Sequence, residues 1–347
     1  MVAPGGPTQV APVRWGVLGA ANIAVRKVVP AMQRGEMSHV VAIASRDLGK
    51  AQAAANTLGL ARAYGSYEEL LADPEIEAIY NPLPNHLHVP WTIRAAEAGK
   101  HVLCEKPMAL SADEARQLLD VRDRTGVQIG EGFMVRNHPQ WLHVRELVQS
   151  GRIGELRVIA GHFTFSRRDP NDVRSHPEWG GGGLMDVGCY PITMSRWLFG
   201  EEPLSVVGLL DRDPELGIDR IASALLRFRT GHATFTCGMQ LVPYQRMQLH
   251  GTKGRIEIEI PFNTPPDRPS RIYVDDGSQF ADASAEPIEF PAVDQYTLQG
   301  DRFSYAVRGV GTVPVPLEDA IANMAVIDAV VRSDVSGRFE VVELPHQ

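Results

Sequence analysis

The chain has 347 residues, 44% hydrophobic and 22% charged, with a formal net charge of −8 at neutral pH. That length suits two cores rather than one, and the acidic balance argues against nucleic acid or an anionic membrane surface as the main partner. Three scattered cysteines, Cys104, Cys189 and Cys237, exclude a disulfide framework or a zinc site, and no apolar run reaches the ~18 residues of a membrane span, so a reducing, cytoplasmic setting is expected.

Residues 1–12, opening MVAPGGPTQV, carry Pro and Gly without a basic residue or an apolar stretch. They read as a flexible arm, not a secretory signal. From 13 to 135 strands and helices alternate. RWGVLG (14–19) is a strand running into small residues. Residues 22–35 space Ile23, Val28, Val29 and Met32 as a helix would, with Gly35 as the stop. A strand follows at HVVAIAS (39–45), then a helix from Asp47 to about Leu58. EAIYNPLP (77–84) is strand-like, and residues 86–100 are helical with Gly99 as the stop. HVLCEKP (101–107) is a short apolar strand that ends abruptly in charge. SADEARQLLDVRDRTG (111–126) opens on a capping box, Ser111 to Glu114, and VQIGEGF (127–133) closes the series. Strands separated by helices of this length predict a doubly wound parallel sheet, a Rossmann dinucleotide-binding domain.

Over 136–347 the rhythm changes. A helix at 139–151 leads into long strands at 155–166, 220–241 and 246–260. The last two contain turns at Thr230-Gly231 and Gly251-Thr252-Lys253-Gly254 and read as antiparallel hairpins. The Pro-rich PFNTPPDRPS (261–270) reads as a surface loop, and Pro316 opens a final helix that stops at Gly337. This half is expected to be an α+β domain with a large, mainly antiparallel open sheet and helices on one face.

GVLGAANIA (16–24) fits a degenerate G-x-G-x-x-G/A turn, with Gly19, Ala21 and Ala24 at the three positions. Gly19, Ala20, Ala21, Asn22 and Ile23 would place backbone N–H groups against a pyrophosphate at a helix N-terminus. The second strand ends in Ser45-Arg46-Asp47. An NAD site usually offers an acid here, whereas arginine and hydroxyl donors suit a 2′-phosphate, so Ser45 and Arg46 favour NADP over NAD. Arg46 as a solvated arginine and Asp47 as a helix N-cap is the plainer reading of the same residues. In NPLPNHLH (81–88), Pro82 and Pro84 stiffen a segment passing the cofactor, where Pro82, Leu83 and Asn85 are candidate contacts; Asn85 is also a candidate N-cap, and His88 is placed near the nicotinamide ribose. His86 and His88 lack a third ligand, so no metal is expected.

Glu105-Lys106-Pro107 stands at the carboxyl end of a strand, where open α/β sheets bind ligands. In EWGGGGLMDVGCY (178–190), the glycines Gly180 to Gly183 let backbone approach a flat ligand or begin a helix, and Asp186 and Tyr190 share one helical face. Read singly, the glycines make a flexible loop and Asp186 a charge at a helix N-terminus.

Together with Lys106 these stretches resemble the Gfo/Idh/MocA (glucose–fructose oxidoreductase/inositol dehydrogenase) family. The resemblance runs from the first strand to the HGTKG hairpin. Its marks are GAANIA, ASRD, AYGSYEELL (63–71), EKP and GGGGLMDVGCY. Many members have His where this chain has Tyr190. The tyrosine is similar to the glucose–fructose oxidoreductase, xylose dehydrogenase and dihydrodiol dehydrogenase branches, and to bacterial aldose–aldose oxidoreductases. The resemblance implies hydride transfer with Lys106 and Tyr190 as the working pair, Asp186 orienting the substrate or Lys106, and Glu105 and Lys106 bordering the cofactor. It further implies an NADP-dependent enzyme that oxidises C1 of a cyclic aldose to a lactone, with tightly held NADP recycled by a second sugar. Two alternatives stand beside it: a dehydrogenase that releases its cofactor and takes xylose, a dihydrodiol or an anhydro sugar, and an NADP-binding regulator without turnover. A homodimer through the C-terminal sheet is implied as well. Arg174 and Trp179 could border the site but read, in isolation, as surface and packing groups.

Overall fold

The computed structural model describes residues 10–279 and 282–344. Of the arm expected at 1–12, residues 1–9 lie outside the described residues. The carbonyls of Ala11 and Pro12 accept hydrogen bonds from Arg308, which ties those two residues down.

The first lobe runs β1 (Val13–Leu18), α1 (Val29–Met32), β2 (Ser38–Ala44), α2 (Leu48–Leu58), β3 (Arg62–Tyr64), α3 (Tyr67–Ala72), β4 (Ala78–Asn81), α4 (His88–Glu97), β5 (His101–Glu105), α5 (Ala112–Thr125) and β6 (Ile129–Gly132). All strand pairs are parallel, in the order β3-β2-β1-β4-β5-β6, the doubly wound arrangement whose strand order reverses beside β1. Local chemistry sets the helix ends. Asp47 accepts from Lys50 N at the start of α2, and Ser111 accepts from Glu114 N at the start of α5. Glu114 reaches back to Leu110 N, one residue beyond a strict capping box. Gly35 is not a helix stop. α1 ends at Met32, and the Asp301 carboxylate packs over Gly35 to accept from the N–H groups of Glu36 and Met37.

The second lobe contains α6 (Pro139–Gln149), β7 (Leu156–Ser166), α7 (Cys189–Phe199), β8 (Ser205–Arg212), β9 (Asp219–Arg227), β10 (His232–Gly238), β11 (Gln240–Gly251), β12 (Arg255–Ile258), β13 (Ser270–Asp275), β14 (Glu286–Phe290), α8 (Gln295–Val307), α9 (Leu317–Ser336) and β15 (Glu340–Val341). Nine strands form one sheet, β14-β13-β12-β11-β7-β10-β9-β8-β15, antiparallel except for the parallel pair β7 and β10. α7 and α9 cover one face; on the other, Leu209 and Val242 are 71% and 78% exposed. Both expected hairpins are present, β9–β10 and β11–β12.

The chain then returns to the first lobe. Trp15 in β1 donates to Ser304 of α8 and packs against Phe303, and Glu131 N donates to Val315 O ahead of α9. The segment 261–270 is a correction to the sequence reading, because it is not simply a surface loop. Phe262 is fully buried, stacked on Phe163 and Trp141, and Trp141 Nε1 donates to Pro261 O. One aromatic residue in an otherwise polar, Pro-rich stretch supplies enough apolar surface to anchor it.

Among the described residues no helix is long and apolar enough to cross a membrane, and no group of three or more His, Cys, Asp or Glu side chains is placed to hold a metal. The three cysteines are buried and unpaired.

Candidate active site

The β1–α1 turn has the form a dinucleotide requires. Gly19 sits at φ +86°, a conformation open to glycine, and a Cβ there would stand 2.9 Å from Leu83 Cδ2 and 3.5 Å from the Tyr67 hydroxyl. Ala20, Ala21 and Ile23 are half-buried and Asn22 is exposed, leading into a π-helical turn at Ala24–Val28. The leading N–H groups of such a helical start have no partner within the helix. Ser45 Oγ accepts from Asp47 N, and Asp47 in turn caps α2. Arg46 is exposed; the Tyr67 hydroxyl stands beside the Gly19 turn, its pKa raised by burial against the opposing charge of Arg46.

Two residues of the 81–88 segment do other work than expected. Asn85 is not an N-cap; its Nδ2 donates to Gly180 O, joining this segment to the glycine run of the second lobe. His88 does not face the cleft. It is fully buried, with Nδ1 2.8 Å from Pro107 O and Nε2 2.7 Å from Leu83 O. Burial pushes its pKa down to about 4, against two carbonyl acceptors that favour the protonated ring. A histidine held this way braces the Pro82–Leu83 turn against the strand end at Pro107, which follows a cis peptide bond from Lys106.

At the end of β5, Tyr80 donates to Glu105 Oε1 at 2.7 Å, and Lys106 N donates to Glu105 Oε2. Burial raises the pKa of Glu105. Lys106 crosses the gap between the lobes: its Nζ donates to Asp186 O at 2.5 Å and to Asp186 Oδ1 at 2.9 Å. The other carboxylate oxygen, Oδ2, accepts from Arg174 Nε at 2.7 Å. Burial alone would raise the pKa of Asp186. The charges of Lys106 and Arg174 outweigh burial and hold this carboxyl below the usual carboxylate range. Burial disfavours the Lys106 ammonium, but the Asp186 charge prevails and raises its pKa.

Tyr190 is 5% exposed, ringed by Phe133, Phe163 and Phe262 at centroid distances of 5.2, 5.4 and 5.3 Å. Lys106 Nζ lies 5.0 Å from the centre of the Tyr190 ring. The two side chains therefore meet, but over the ring face; the hydroxyl itself donates to Met134 Sδ at 3.5 Å. Burial raises the Tyr190 pKa well above that of a free phenol.

The glycine run starts a helix, as one of its two readings had it, and the close approaches it permits are to protein. Gly182, at φ +109°, makes room for the Asp219 carboxylate, which accepts from Leu184 N at the start of the helical turn that carries Asp186. Three residues of this neighbourhood escaped the sequence reading or were set aside in it. Arg174 proves to be a ligand of Asp186. Phe262 forms part of the aromatic wall. Tyr296 of α8 packs against the core, where burial, joined by the Glu105 charge, raises its phenol pKa. Only Arg174 offered any signal, its position shortly before the glycine run.

Residues 13–133 match the model of an oxidoreductase family with an NAD-binding Rossmann fold, and residues 141–257 match the GFO/IDH/MocA C-terminal domain. The chain is 50% identical over 331 residues to an uncharacterized oxidoreductase of Rhizobium meliloti, covering 95% of this chain and 99% of that one. It is 36% identical over 326 residues to a D-xylose 1-dehydrogenase (NADP(+)) of Haloferax volcanii, covering 93% and 98%. Among solved structures, an aldose–aldose oxidoreductase from Caulobacter crescentus complexed with glycerol superposes with a TM-score of 0.87 at 26% identity, covering 95% and 99%. A 3-ketoreductase from Actinomadura kijaniata in complex with NADP and TDP-benzene superposes with a TM-score of 0.85 at 31% identity, covering 93% and 98%.

Proposed function

The chain belongs to the GFO/IDH/MocA family of NAD(P)-binding sugar oxidoreductases, and we propose that within it the protein is an NADP-dependent enzyme oxidising C1 of a cyclic aldose to a lactone. The carrying observation is the meeting of Lys106, Asp186 and the Tyr190 ring across the lobes, at the carboxyl end of β5. Gly19 to Ile23 would hold the pyrophosphate, Ser45 and Arg46 the 2′-phosphate, and Pro82, Leu83 and Glu105 the nicotinamide half. Bound NADP supplies the hydride acceptor.

Lys106 has three N–H donors, of which Asp186 takes two. The third is free to bind the sugar oxygen and to stabilise negative charge on it. Tyr190, as the phenolate left once its own proton has passed to solvent before the sugar binds, takes the hydroxyl proton. Its present acceptor, the Met134 thioether, is weak and readily exchanged for a sugar hydroxyl. A phenolate in this buried cage requires a neighbouring positive charge, and the Lys106 ammonium over the ring provides one.

The likeness to a 3-ketoreductase suggests a second reading, reduction of a keto group on a nucleotide-linked sugar. The segment leading into the glycine run favours an uncharged sugar instead. Its arginines Arg167, Arg168 and Arg174 are paired with Asp172, Asp213 and Asp186, which occupies the cations a diphosphate would seek. A homodimer through the exposed sheet face around Leu209 and Val242, and tight retention of NADP, complete the proposal.

Denaturing the purified protein and identifying the released nucleotide tests retention. Nicotinamide absorbance across a panel of aldoses, with NADP or NAD added, tests the reaction. The proposal expects reduction with NADP and a free aldose; turnover confined to dTDP-linked ketosugars, or none with any sugar, would sink it.

A further inference from the structure

We infer that Arg174 is a positioning residue of the proposed reaction, fixing the Asp186 carboxylate so that Lys106 presents its remaining N–H to the substrate oxygen. This inference rests on the reading of Lys106 as the group that binds that oxygen.

Arg174 is held at both ends. Its backbone N–H and its NH1 both donate to Asp172 Oδ1, at 3.0 and 3.2 Å, and Asp172 is itself braced by Arg167 at 2.7 Å. The Arg174 carbonyl accepts from Gly182 N at 3.0 Å, and it packs so closely on the glycine run that a Cβ on Gly181 would stand 2.4 Å from it. The guanidinium is therefore anchored to the same glycine segment that leads into Asp186.

The division of the carboxylate is the second part of the argument. Arg174 Nε takes Oδ2 and Lys106 Nζ takes Oδ1, so opposite oxygens of one carboxylate are fixed by two cations from different lobes. Asp172, Arg174 and Asp186 all belong to the second lobe, and Lys106 alone comes from the first. The second lobe thus carries an oriented acceptor into which the first lobe inserts its amine. Without Arg174 the carboxylate is free to turn about its Cβ–Cγ bond. Lys106 would keep the Asp186 carbonyl at 2.5 Å but lose the second fixed direction that aims its third N–H.

The test uses the full-length protein with Arg174→Gln, Arg174→Lys and Asp172→Asn, assayed with NADP and an aldose that the wild type oxidises. Arg174→Gln should lower kcat by about 10- to 100-fold, with KM and the NADP Kd within ~3-fold of wild type. The acid limb of its pH–kcat profile should move upward in pH. Arg174→Lys should recover part of kcat, since an ammonium keeps the charge but cannot span Asp186 and Asp172 together. Asp172→Asn should give an intermediate loss, and it replaces Arg174→Gln if that variant fails to fold. A kcat within ~3-fold of wild type, an unmoved acid limb, or an effect confined to KM would overturn the inference. If the wild type oxidises no sugar, the functional reading fails separately. The positioning role is then read by NMR titration of the Asp186 side-chain carboxyl carbon: Arg174→Gln should raise its midpoint, and equal midpoints would overturn the role.

Discussion

Two buried carboxyl groups flank the strand end at Lys106, and they have opposite fates. Asp186, in the helical turn that leads into α7, shares its oxygens between Lys106 and Arg174, and these charges hold it ionised despite burial. Glu131, in β6, has a single donor, Met108 N at 2.7 Å, and its Oε2 has no partner among the described residues. Burial, reinforced by the charges of Asp319 and Glu105, pushes Glu131 up to about 8. Glu131 is 3% exposed and the Asp186 side chain 15%, yet burial pushes both upward, and the number and charge of the donors decide. The ionised carboxylate can aim a cation, whereas the neutral one braces the backbone that follows the cis peptide bond.

The largest effect should come from taking away the cation that the ionised group aims. Lys106→Met should reduce turnover by about 1000-fold, equivalent to ~4 kcal/mol of transition-state stabilisation, while NADP binding stays within a few-fold of wild type. Steady-state rates and nucleotide titration check this; near-normal turnover would remove Lys106 from the chemistry. Next in size is Asp186→Asn, which leaves the largely buried Lys106 and the partly exposed Arg174 facing an uncharged amide. It should destabilise the protein by about 3 kcal/mol at neutral pH. Because the folded-state pKa of Asp186 is depressed, its stabilisation is complete above the unfolded value of ~4 and is lost as pH falls through the folded value. Denaturant unfolding should therefore show a constant gap between wild type and variant across neutral pH, closing only below about pH 4. A gap that changes near neutrality would contradict the assignment.

Tyr190→Phe should lower turnover by about 100-fold. It should leave the melting temperature nearly unchanged, because among the described residues the hydroxyl hydrogen-bonds only the Met134 sulfur. A large loss of stability with little loss of rate would make Tyr190 a packing residue.

Much of this was legible in the sequence where the determinant was local. The Gly19 turn, the alternation that gives the first sheet, the Ser111 cap and the charged strand end at Glu105-Lys106 all follow from residues a few positions apart. The Asp186–Tyr190 spacing, short enough for one helical face, was legible for the same reason. What stayed hidden depends on partners far along the chain. Arg174 looks like any surface arginine until the glycine run folds it onto Asp186. Phe262 sits in a stretch whose prolines and polar residues signal a loop, and nothing local says that Phe163 and Tyr190 will receive it. His88 misled for a related reason. A histidine at a helix start suggests a ligand contact, but burial between two carbonyls made it part of the framework.

The smallest expected effect concerns the neutral member of the pair. Glu131→Gln keeps an oxygen for Met108 N and removes the only ionisation at that position. The folded-state pKa of Glu131 is raised to about 8, so the native state holds a proton that the unfolded chain releases above ~4. Wild-type stability should therefore decline as pH rises from ~4 towards 8, and level off once the native state also loses the proton. The glutamine variant lacks this slope. It should match wild type near pH 4 and exceed it by at least ~1 kcal/mol at pH 8 in denaturant unfolding. Turnover near neutrality should change less than 3-fold or so, because Glu131 braces the strand end without touching Lys106 or Asp186. If the variant instead lost stability at neutral pH and the loss closed below about pH 4, Glu131 would be ionised and paired, and the contrast with Asp186 would fail.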